Sequence, residues 1–244
     1  MSYFLCALTF LTRIPIPVKA IDQPETFKKS IYFFPIVGLI IGGILAGSFY
    51  LLTKLFPQTI AAALLLFIYV LLTGGLHLDG LIDTVDGIYG GRSREHRLEI
   101  MKDTHPGAFG VLGAVVILLI KYSIYTQLSS DMLVILIAAS VMGRQAMVWV
   151  QIFYPYARKQ GLGMLFNIYG NVPLFGVTTG ITMVILFLLA QINGLYIFFI
   201  CSIILFILAS WLSHLLGGLT GDTYGASCEL IEISALLTGL LLLG

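Results

Sequence analysis

Long apolar segments restrict this chain to folds that bury them in a membrane. The sequence is 59% hydrophobic and only 10% charged, and its apolar stretches run for about 18–22 residues with almost no charge. A helix of that length crosses the hydrocarbon core of a bilayer, where the backbone must satisfy its own hydrogen bonds. The candidate spans are 32–53, 60–76, 107–128, 132–153, 172–190, 195–216 and 230–243.

We therefore predict an all-α fold, namely a polytopic integral membrane helical bundle. It should contain about six or seven transmembrane helices, together with short interfacial and cytoplasmic helices. No long polar linker or low-complexity tract divides the sequence. We therefore expect residues 1–244 to form a single membrane-embedded domain.

Composition argues against several classes of partner. The net charge is +1, which gives no sign of a nucleic-acid partner. The three cysteines, Cys6, Cys201 and Cys228, are scattered and form no CxxC motif, so we predict neither a disulfide framework nor a zinc site. The partners expected instead are the lipid bilayer and small molecules, and assembly into a homo-oligomer is left open.

Basic residues alternate between the two ends of the predicted spans. They are frequent before the first span and in the loops 77–106 and 154–171, and scarce in the intervening connections. The positive-inside rule therefore predicts a multi-pass protein of the cytoplasmic membrane, with the N-terminus and the loops 77–106, 154–171 and 217–231 in the cytoplasm. The basic residues that indicate this are Arg13, Lys19, Lys28, Lys29, Arg92, Arg94, Arg97, Lys102, Arg158 and Lys159.

Three aspartates, Asp79, Asp83 and Asp86, stand out in this apolar chain. We expect a helix to follow a break at Gly74 and Gly75, and on it the three side chains would lie within roughly 60° of arc. Like charges that close repel one another unless a cation or shared protons hold them. Mg²⁺ is the obvious cation, because it takes oxygen ligands and leaves sites for phosphate.

His77 precedes this trio by two residues. On a regular helix it lies about 160° away from Asp79. It should join the acidic site only if the helix begins near it, and otherwise it is a packed or capping residue.

Residues 92–107 form a second polar segment. Ser93 is expected to cap a short amphipathic helix on which Leu98 and Met101 face inward. The basic residues here, including Arg92, either pair with phosphates or only fix the topology. Asp103, next to the break at Pro106, is a further catalytic candidate.

Residues 217–232 form a third segment. Its glycine-rich turn exposes backbone N–H groups that could receive an anion. Asp222, Glu229 and Glu232 are spaced by seven and three residues, so a helix would align them as well. Arg144, in the middle of the span 132–153, is a functional candidate because a charge at that depth is costly; it could pair with one of these acids or with a substrate phosphate.

Two acidic clusters predicted at one membrane boundary indicate a Mg²⁺-dependent transferase that acts on a diphosphate. Three alternatives remain open, namely a CDP-alcohol phosphotransferase, an intramembrane prenyltransferase and an ion-coupled transporter. The first needs an Asp-Gly-x-x-Ala-Arg run, but Asp79-Gly80 is followed here by Leu-Ile-Asp. The second carries paired Asp-rich motifs and more spans than we count.

Four motifs resemble the cobalamin synthase family, the adenosylcobinamide-GDP ribazoletransferases. They are FLTRIPIP at 10–17, HLDGLIDTVDG at 77–87, RLEIMKDTHPGAFG at 97–110 and GGLTGDTYGASCELIE at 217–232. The resemblance covers nearly the whole chain in the same order. One departure is His105, where many members of the family are expected to have Arg.

The resemblance implies a reaction that the residues alone do not indicate. Adenosylcobinamide-GDP would be joined to α-ribazole or its 5′-phosphate, giving adenosylcobalamin or its 5′-phosphate and GMP, with Mg²⁺ as cofactor. Asp79, Asp83, Asp86 and Asp222 would hold the metal, and the catalytic set would be Asp79, Asp83, Asp86 and Asp103. The residues expected to bind substrate are Arg13, His77, Arg92, Arg144, Asp222 and Glu229.

Overall fold

The computed structural model describes residues 2–16, 24–158 and 168–244, and these ranges are almost entirely helical. Lys19 and Lys159, used above to predict the topology, lie outside them. The described ranges contain no β-strand, and only an isolated bridge joins Tyr156 to Leu219. Their α-helices are α1 (Ser2–Leu11), α2 (Pro24–Ser30), α3 (Phe34–Leu55), α4 (Gln58–Thr73), α5 (Leu76–Gly90), α6 (Arg94–Ile100), α7 (Ala108–Tyr125), α8 (Val134–Phe153), α9 (Val172–Leu216) and α10 (Gly221–Leu243).

The predicted all-α membrane bundle is confirmed. Within the described ranges, five helical stretches are long and apolar enough to cross a membrane, and six if the bent pair α4 and α5 counts as one span. The five are Glu25–Leu55, Ala108–Tyr125, Ser130–Phe153, Val172–Leu216 and Gly221–Leu243.

The longest of these stretches, α9, is a helical hairpin rather than one rod. Its 45 residues would measure about 67 Å as a straight helix, more than twice the hydrocarbon core. Ala190 and Gln191 have non-helical backbone angles. Phe175, before this break, and Phe206, after it, both contact Trp149 of α8, with ring centroids 6.1 Å and 5.7 Å away. The legs 172–189 and 192–216 therefore lie side by side and match the two predicted spans.

Helix α8 occupies the centre of the bundle. In the most apolar stretch of the span Ser130–Phe153, which contains α8, 83% is buried. Glycines allow neighbouring helices to approach it closely. A methyl group at Gly38 of α3 would lie 2.6 Å from the carbonyl oxygen of Ser140, and one at Gly143 would lie 2.7 Å from Glu232 of α10. The small residues therefore fix how α3 and α10 pack on α8.

The predicted break between α4 and α5 is confirmed. Gly74 and Gly75 both adopt the left-handed conformation, with φ of +65° and +68°, which is easily accessible only to glycine. The axes of the two helices differ by 91°. The helix predicted to carry Asp79, Asp83 and Asp86 therefore runs across the bundle rather than continuing α4.

The prediction of a loop over residues 217–231 is wrong, because α10 begins at Gly221 and not near residue 230. Thr220 caps this helix: its hydroxyl accepts a hydrogen bond from the N–H of Thr223, while its own N–H donates to the Thr223 hydroxyl. Hydropathy alone favoured a loop here because Asp222 and Glu229 lie within the segment and Glu232 follows it directly. The helix buries Glu229 and Glu232 because cationic partners reach them.

Two cationic residues pair with these two glutamates, so that four charged side chains form a network in the apolar core. The ammonium of Lys121 on α7 donates to Glu229 at 2.7 Å and to Glu232 at 2.6 Å. Arg144 on α8 forms a short ion pair with Glu232. The hydroxyl of Tyr69 on α4 donates to Glu229 at 2.5 Å. We call these five residues the core network; it joins four helices and contains two charges of each sign.

The core network makes a stability prediction. Changing Glu232 to Gln keeps the shape but removes the carboxylate that pairs with Arg144 and one of the two that pair with Lys121. Breaking a buried ion pair from one side typically destabilises a protein by about 3–5 kcal/mol. We expect a loss of that order in the free energy of unfolding, measured by thermal or denaturant unfolding in detergent.

The control is Glu25→Gln, which breaks the exposed pair of Glu25 with Lys29 at 3.5 Å on α2. Such pairs contribute about 0–1 kcal/mol, so this variant should unfold almost as the wild type does. Equal stability of Glu232→Gln and Glu25→Gln would contradict the role of the network.

Close packing of α5 against α10 makes a second prediction. A methyl group at Gly80 would lie 2.7 Å from the carbonyl oxygen of Asp222 and 3.0 Å from its Cα. Both are backbone atoms, so Gly80→Ala must force the helices apart, at a cost of about 1–3 kcal/mol in the free energy of unfolding.

The matched control for this prediction is Gly43→Ala in α3, where the added methyl meets no atom within 4 Å. That change should be neutral or stabilise the helix by up to about 1 kcal/mol. The packing argument fails if the two alanine variants unfold at the same denaturant concentration.

Candidate active site

A cavity of about 290 Å³ opens where α5, α8, α10 and the segment after α8 meet. Its polar lining includes the carboxylates of Asp79 and Asp222 and the guanidinium of Arg158. Its apolar lining includes Phe10, Phe34, Leu76 and Met147. The cavity lining thus combines acidic, basic and apolar side chains.

Asp79 lies in the first turn of α5, directly after the glycine bend. The bend turns α5 toward α10, so Asp79 faces the cavity and is exposed. Asp83 follows one turn later and is half-buried. Its carboxylate is repelled by those of Asp222 and Asp79 and attracted by Arg158. The acids of α5 and α10 therefore act on one another across the helix interface.

Asp222 is held at the start of α10, where the capping by Thr220 fixes the helix end. The first N–H groups of a helix have no partner within it, and its dipole favours negative charge there. Gly221 and Asp222 line the cavity, so this helix end faces it. The backbone here suits an anion such as a phosphate.

Arg158 supplies a cation at the same place. The segment before it pairs with the turn between α9 and α10: the N–H of Leu219 donates to the carbonyl of Pro155, and the N–H of Ala157 donates to that of Leu219, both at 2.8 Å. This pairing sets the Arg158 guanidinium 2.8 Å from the Asp222 carboxylate. Arg158 also donates to the carbonyl of Met101 at 3.1 Å, which ties it to the end of α6.

The acids around the cavity do not form a complete metal cage. Among the described residues, no three or more His, Cys, Asp or Glu side chains are arranged to hold a metal ion. Mg²⁺ usually binds through one or two carboxylates, with water and substrate phosphates as the other ligands. Asp79 and Asp222 both line the cavity and fit a site of that kind, which a diphosphate would complete.

Asp86 was expected to bind metal, but its carboxylate already binds backbone N–H groups of the protein. Its carboxylate accepts hydrogen bonds from the N–H groups of Gly107 and Gly110, at 2.7 Å and 2.8 Å. Both oxygens are therefore occupied in capping α7, and the side chain is buried. It shares a face of α5 with Asp79 and Asp83, but α7 covers the last turn of that face. Asp86 is a positioning residue in this arrangement.

Arg144 and Glu229, expected to bind substrate, do not line the cavity. Both belong to the core network, where Arg144 pairs with Glu232 and Glu229 with Lys121. Their charges are used to hold helices together. The sequence left open whether Arg144 pairs with one of these acids or with a substrate phosphate, and the structure shows the pair with Glu232. The sequence argument did not include the second cation, Lys121.

Arg13, Arg92 and Asp103 also lie outside the cavity lining, and all three are exposed. The side chain of Arg13 packs against Gly74, and the backbone N–H of Arg13 donates to the carbonyl of Leu72 at 2.8 Å. The carboxylate of Asp103 accepts from the backbone N–H of His105 at 3.0 Å, and this hydrogen bond, followed by one from the His105 ring, lowers the pKa of Asp103. The arginine that lines the cavity is thus Arg158, and not one of those expected to bind substrate.

The sequence argument overlooked three polar residues of the lining, namely Gln151, Tyr156 and Tyr224. Gln151 lies one half-turn before the end of α8, and a glutamine at that point of an apolar span was the available signal. Arg158 was assigned only to topology. Because helix α5 begins at Leu76, His77 joins the cavity, which is the condition set for it above.

Ser93 behaves as expected. Its hydroxyl accepts a hydrogen bond from the N–H of His96 at 3.2 Å and caps α6. Met101 is buried and Leu98 is half-buried, so this short helix packs its apolar side inward. Its end supplies the carbonyl that holds Arg158.

Comparison with known proteins agrees with these motifs. The profile of the family described as cobalamin-5-phosphate synthase matches residues 3–241. An adenosylcobinamide-GDP ribazoletransferase of Desulfitobacterium hafniense (strain Y51) is 42% identical over 238 residues, covering 95% of this chain and 93% of that protein. Proteins of the same name from Roseiflexus sp. (strain RS-1) and Geotalea daltonii are 38% and 39% identical, covering 95% and 98% of this chain and 87% and 96% of their own lengths.

No solved structure shows a significant match to the chain. The family is therefore established by sequence, since the profile spans nearly all 244 residues and several relatives exceed 30% identity over almost their full lengths. With its two acidic segments meeting at one cavity, this chain belongs to the cobalamin-5-phosphate synthase family.

Proposed function

We propose that this chain is an adenosylcobinamide-GDP ribazoletransferase that uses Mg²⁺. It joins adenosylcobinamide-GDP to α-ribazole, or to its 5′-phosphate, and releases GMP. The family and the names of its relatives support the reaction. One observation about the site carries the proposal: Asp79, Asp222 and Arg158 line the same cavity.

The reaction exchanges one phosphorus–oxygen bond for another. A ribose hydroxyl of α-ribazole attacks the phosphorus that stays with cobinamide, and a new O–P bond forms. The bond from that phosphorus to the bridging oxygen breaks, and GMP leaves with this oxygen. The proton of the hydroxyl must pass to a base, because the attacking oxygen becomes a neutral phosphodiester oxygen.

Asp83 is suited to receive that proton. Repulsion from Asp79 and Asp222 acts on its carboxylate, and an added proton relieves that repulsion. It is half-buried one turn beyond Asp79, and although it is not part of the cavity lining, it interacts with the charges of Asp79 and Asp222, which are. Asp79 and Asp222 remain available to hold the metal, which neutralises diphosphate oxygens when it is bound.

Arg158 and the start of α10 orient the diphosphate. A guanidinium binds phosphate through two parallel N–H groups, and Arg158 is already fixed by Asp222 and Met101. The N–H groups of Gly221 and Asp222 add donors that need no reorganisation on binding. Positioning of this kind is the main contribution that a protein makes to transfer of a phosphoryl group.

The site is also proposed to face the cytoplasm, from the cytoplasmic membrane. The distribution of basic residues supports this orientation. The starts of the bent α5 and of α10 line the cavity, and Arg158 of the same lining donates a hydrogen bond to Met101 at the end of α6. Water-soluble substrates would then reach the acids directly from the compartment that contains nucleotides.

The direct test of the reaction is an assay of purified protein with cobinamide-GDP and α-ribazole, scored by release of GMP. Activity should require both substrates and Mg²⁺, and it should be lost when the metal is chelated. Failure to release GMP with active substrates and folded protein would overturn the proposal. Parallel reactions with α-ribazole and its 5′-phosphate show which acceptor the enzyme prefers.

Amide substitutions test the two aspartates of α5 that the proposal uses. Asp83→Asn and Asp79→Asn keep the size of each side chain and remove its charge, so each should lower turnover by about 10²–10⁴-fold while the protein still folds. Glu99→Gln is the control, because Glu99 is exposed on α6 and should leave turnover unchanged. Near-normal turnover of both aspartate variants would mean that these acids are not the reacting centre.

A further inference from the structure

We propose that Asp86 acts on the substrate diphosphate through Arg158 and not through a metal ion. The carboxylate of Asp86 fixes residues 101–110, which we call the bracing segment, and the bracing segment holds the guanidinium of Arg158 at the cavity. This inference rests on the proposed function. It gives Asp86 a positioning role in substrate binding, in place of the metal-binding role that the sequence resemblance implied.

Asp86 holds one end of the bracing segment. Each of its carboxylate oxygens accepts a backbone hydrogen bond, Oδ2 from the N–H of Gly107 at 2.7 Å and Oδ1 from that of Gly110 at 2.8 Å. Hydrogen bonds to an ionised acceptor are roughly twice as strong as neutral ones. A methyl group at either glycine would overlap the carboxylate, and Asp86 is not part of the cavity lining. The side chain is therefore built into the contact between α5 and the start of α7.

Gly87, the next residue of α5, holds the other end of the bracing segment. Met101 is buried, and a methyl group at Gly87 would overlap its side chain and lie 3.0 Å from the carbonyl oxygen of Arg97. The glycine thus lets the end of α6 lie directly on α5. Two consecutive residues of one helical turn, Asp86 and Gly87, therefore fix both ends of the bracing segment.

Hydrogen bonds also link the bracing segment internally and to α6. The N–H of Lys102 donates to the carbonyl of Glu99 at 2.9 Å, and the N–H of Asp103 donates to that of Ile100 at 2.9 Å. The N–H of His105 donates to the carboxylate of Asp103 at 3.0 Å. Because the segment is short and bonded along its length, a displacement at its α7 end also moves its α6 end.

The α6 end of the bracing segment determines the direction of Arg158. The Nη2 atom of Arg158 donates to the carbonyl of Met101 at 3.1 Å and lies 2.8 Å from the carboxylate of Asp222. Without the Met101 contact, Asp222 alone would orient the guanidinium. Donors that are already in place need no reorganisation when an anion binds, so the loss of this contact weakens the binding of phosphate.

Asp79 provides a contrast on the same helix. It lies two turns before Asp86, is exposed and lines the cavity, so a metal ion can reach it. Asp86 is 7% exposed and faces α7. If the two aspartates act in these different ways, removing each charge should have a different effect on how binding depends on Mg²⁺.

The test measures binding of GMP, the proposed product, to the purified protein in detergent by calorimetry, with Mg²⁺ and with a chelator. Asp86→Asn keeps the size but places an NH₂ group where one backbone N–H donates. It should weaken GMP about three- to tenfold in both conditions, so the ratio of the two affinities stays as in the wild type. Asp79→Asn should lower that ratio, because it removes a metal ligand.

A double-mutant cycle tests the route through Arg158. Arg158→Gln should weaken GMP about tenfold or more, because it removes a charged donor. Adding Asp86→Asn to Arg158→Gln should then weaken GMP further by less than about twofold, since the group that Asp86 positions is already absent. Losses that multiply in the double variant would contradict the route.

Hydrogen exchange tests the first step without any ligand. A peptide that covers the bracing segment should exchange faster in Asp86→Asn than in Asp79→Asn, because only the first change releases the N–H groups of Gly107 and Gly110. If Asp86→Asn does not fold, Gly87→Ala takes its place. That change displaces Met101 while the Asp86 carboxylate remains, and it should show the same loss of GMP affinity and the same non-additivity with Arg158→Gln.

The matched control for lower stability is Gly42→Ala. Its methyl group would lie 2.5 Å from the Cα of Ile137, where α3 packs on α8, and Gly42 is not part of the cavity lining. Overpacking of this kind destabilises the fold, but it should leave the affinity for GMP unchanged. A loss of GMP affinity in Asp86→Asn with none in Gly42→Ala therefore reports on Arg158 and not on stability.

Two results would overturn the inference. A fall in the Mg²⁺ dependence of GMP binding in Asp86→Asn as large as that in Asp79→Asn would assign Asp86 to the metal. Equal exchange of the bracing segment in the two variants would show that Asp86 does not fix it. The proposed reaction fails separately, if the wild type binds GMP but releases none from cobinamide-GDP and α-ribazole.

Discussion

The core network determines where the functional acids lie. Lys121 and Arg144 neutralise Glu229 and Glu232 inside the apolar bundle, and without them α10 would carry two uncompensated charges through its middle. Buried charges are tolerated only when they are paired and hydrogen-bonded. Because α10 is held in this way, its first turn sits against Gly80 of α5, and the acids at the two helix ends meet at one cavity.

Acidic residues in this chain therefore serve two different purposes. One group contacts α7 and α8 and is bound there by cations or by backbone N–H groups; it consists of Glu229, Glu232 and Asp86. Those at the exposed start of α5 and α10, Asp79 and Asp222, remain at the cavity. The distinction follows from depth and neighbours rather than from residue type, and it separates residues that position helices from residues that line the cavity.

Local signals predicted much of this arrangement. The glycine pair before α5, the helical spacing of its aspartates and the Ser93 cap are properties of neighbouring residues, and all three were predicted correctly. The core network was harder to predict, because the partner of Arg144 depends on how distant helices pack. The start of α10 was missed because buried, paired glutamates resemble a polar loop in hydropathy. Arg158 reaches the cavity through backbone pairing with Leu219, for which the sequence offered no pattern.

The central claim is that α5 and α10 serve one reacting centre, and a double-mutant cycle tests it most directly. Asp79→Asn, Asp222→Asn and the double variant would be compared with the wild type by kcat/KM for GMP release. Residues that act on one centre are strongly non-additive, so the double variant should be less than about tenfold worse than the poorer single variant. Fold-losses that multiply would show that the two carboxylates act independently, and would contradict the single-centre account.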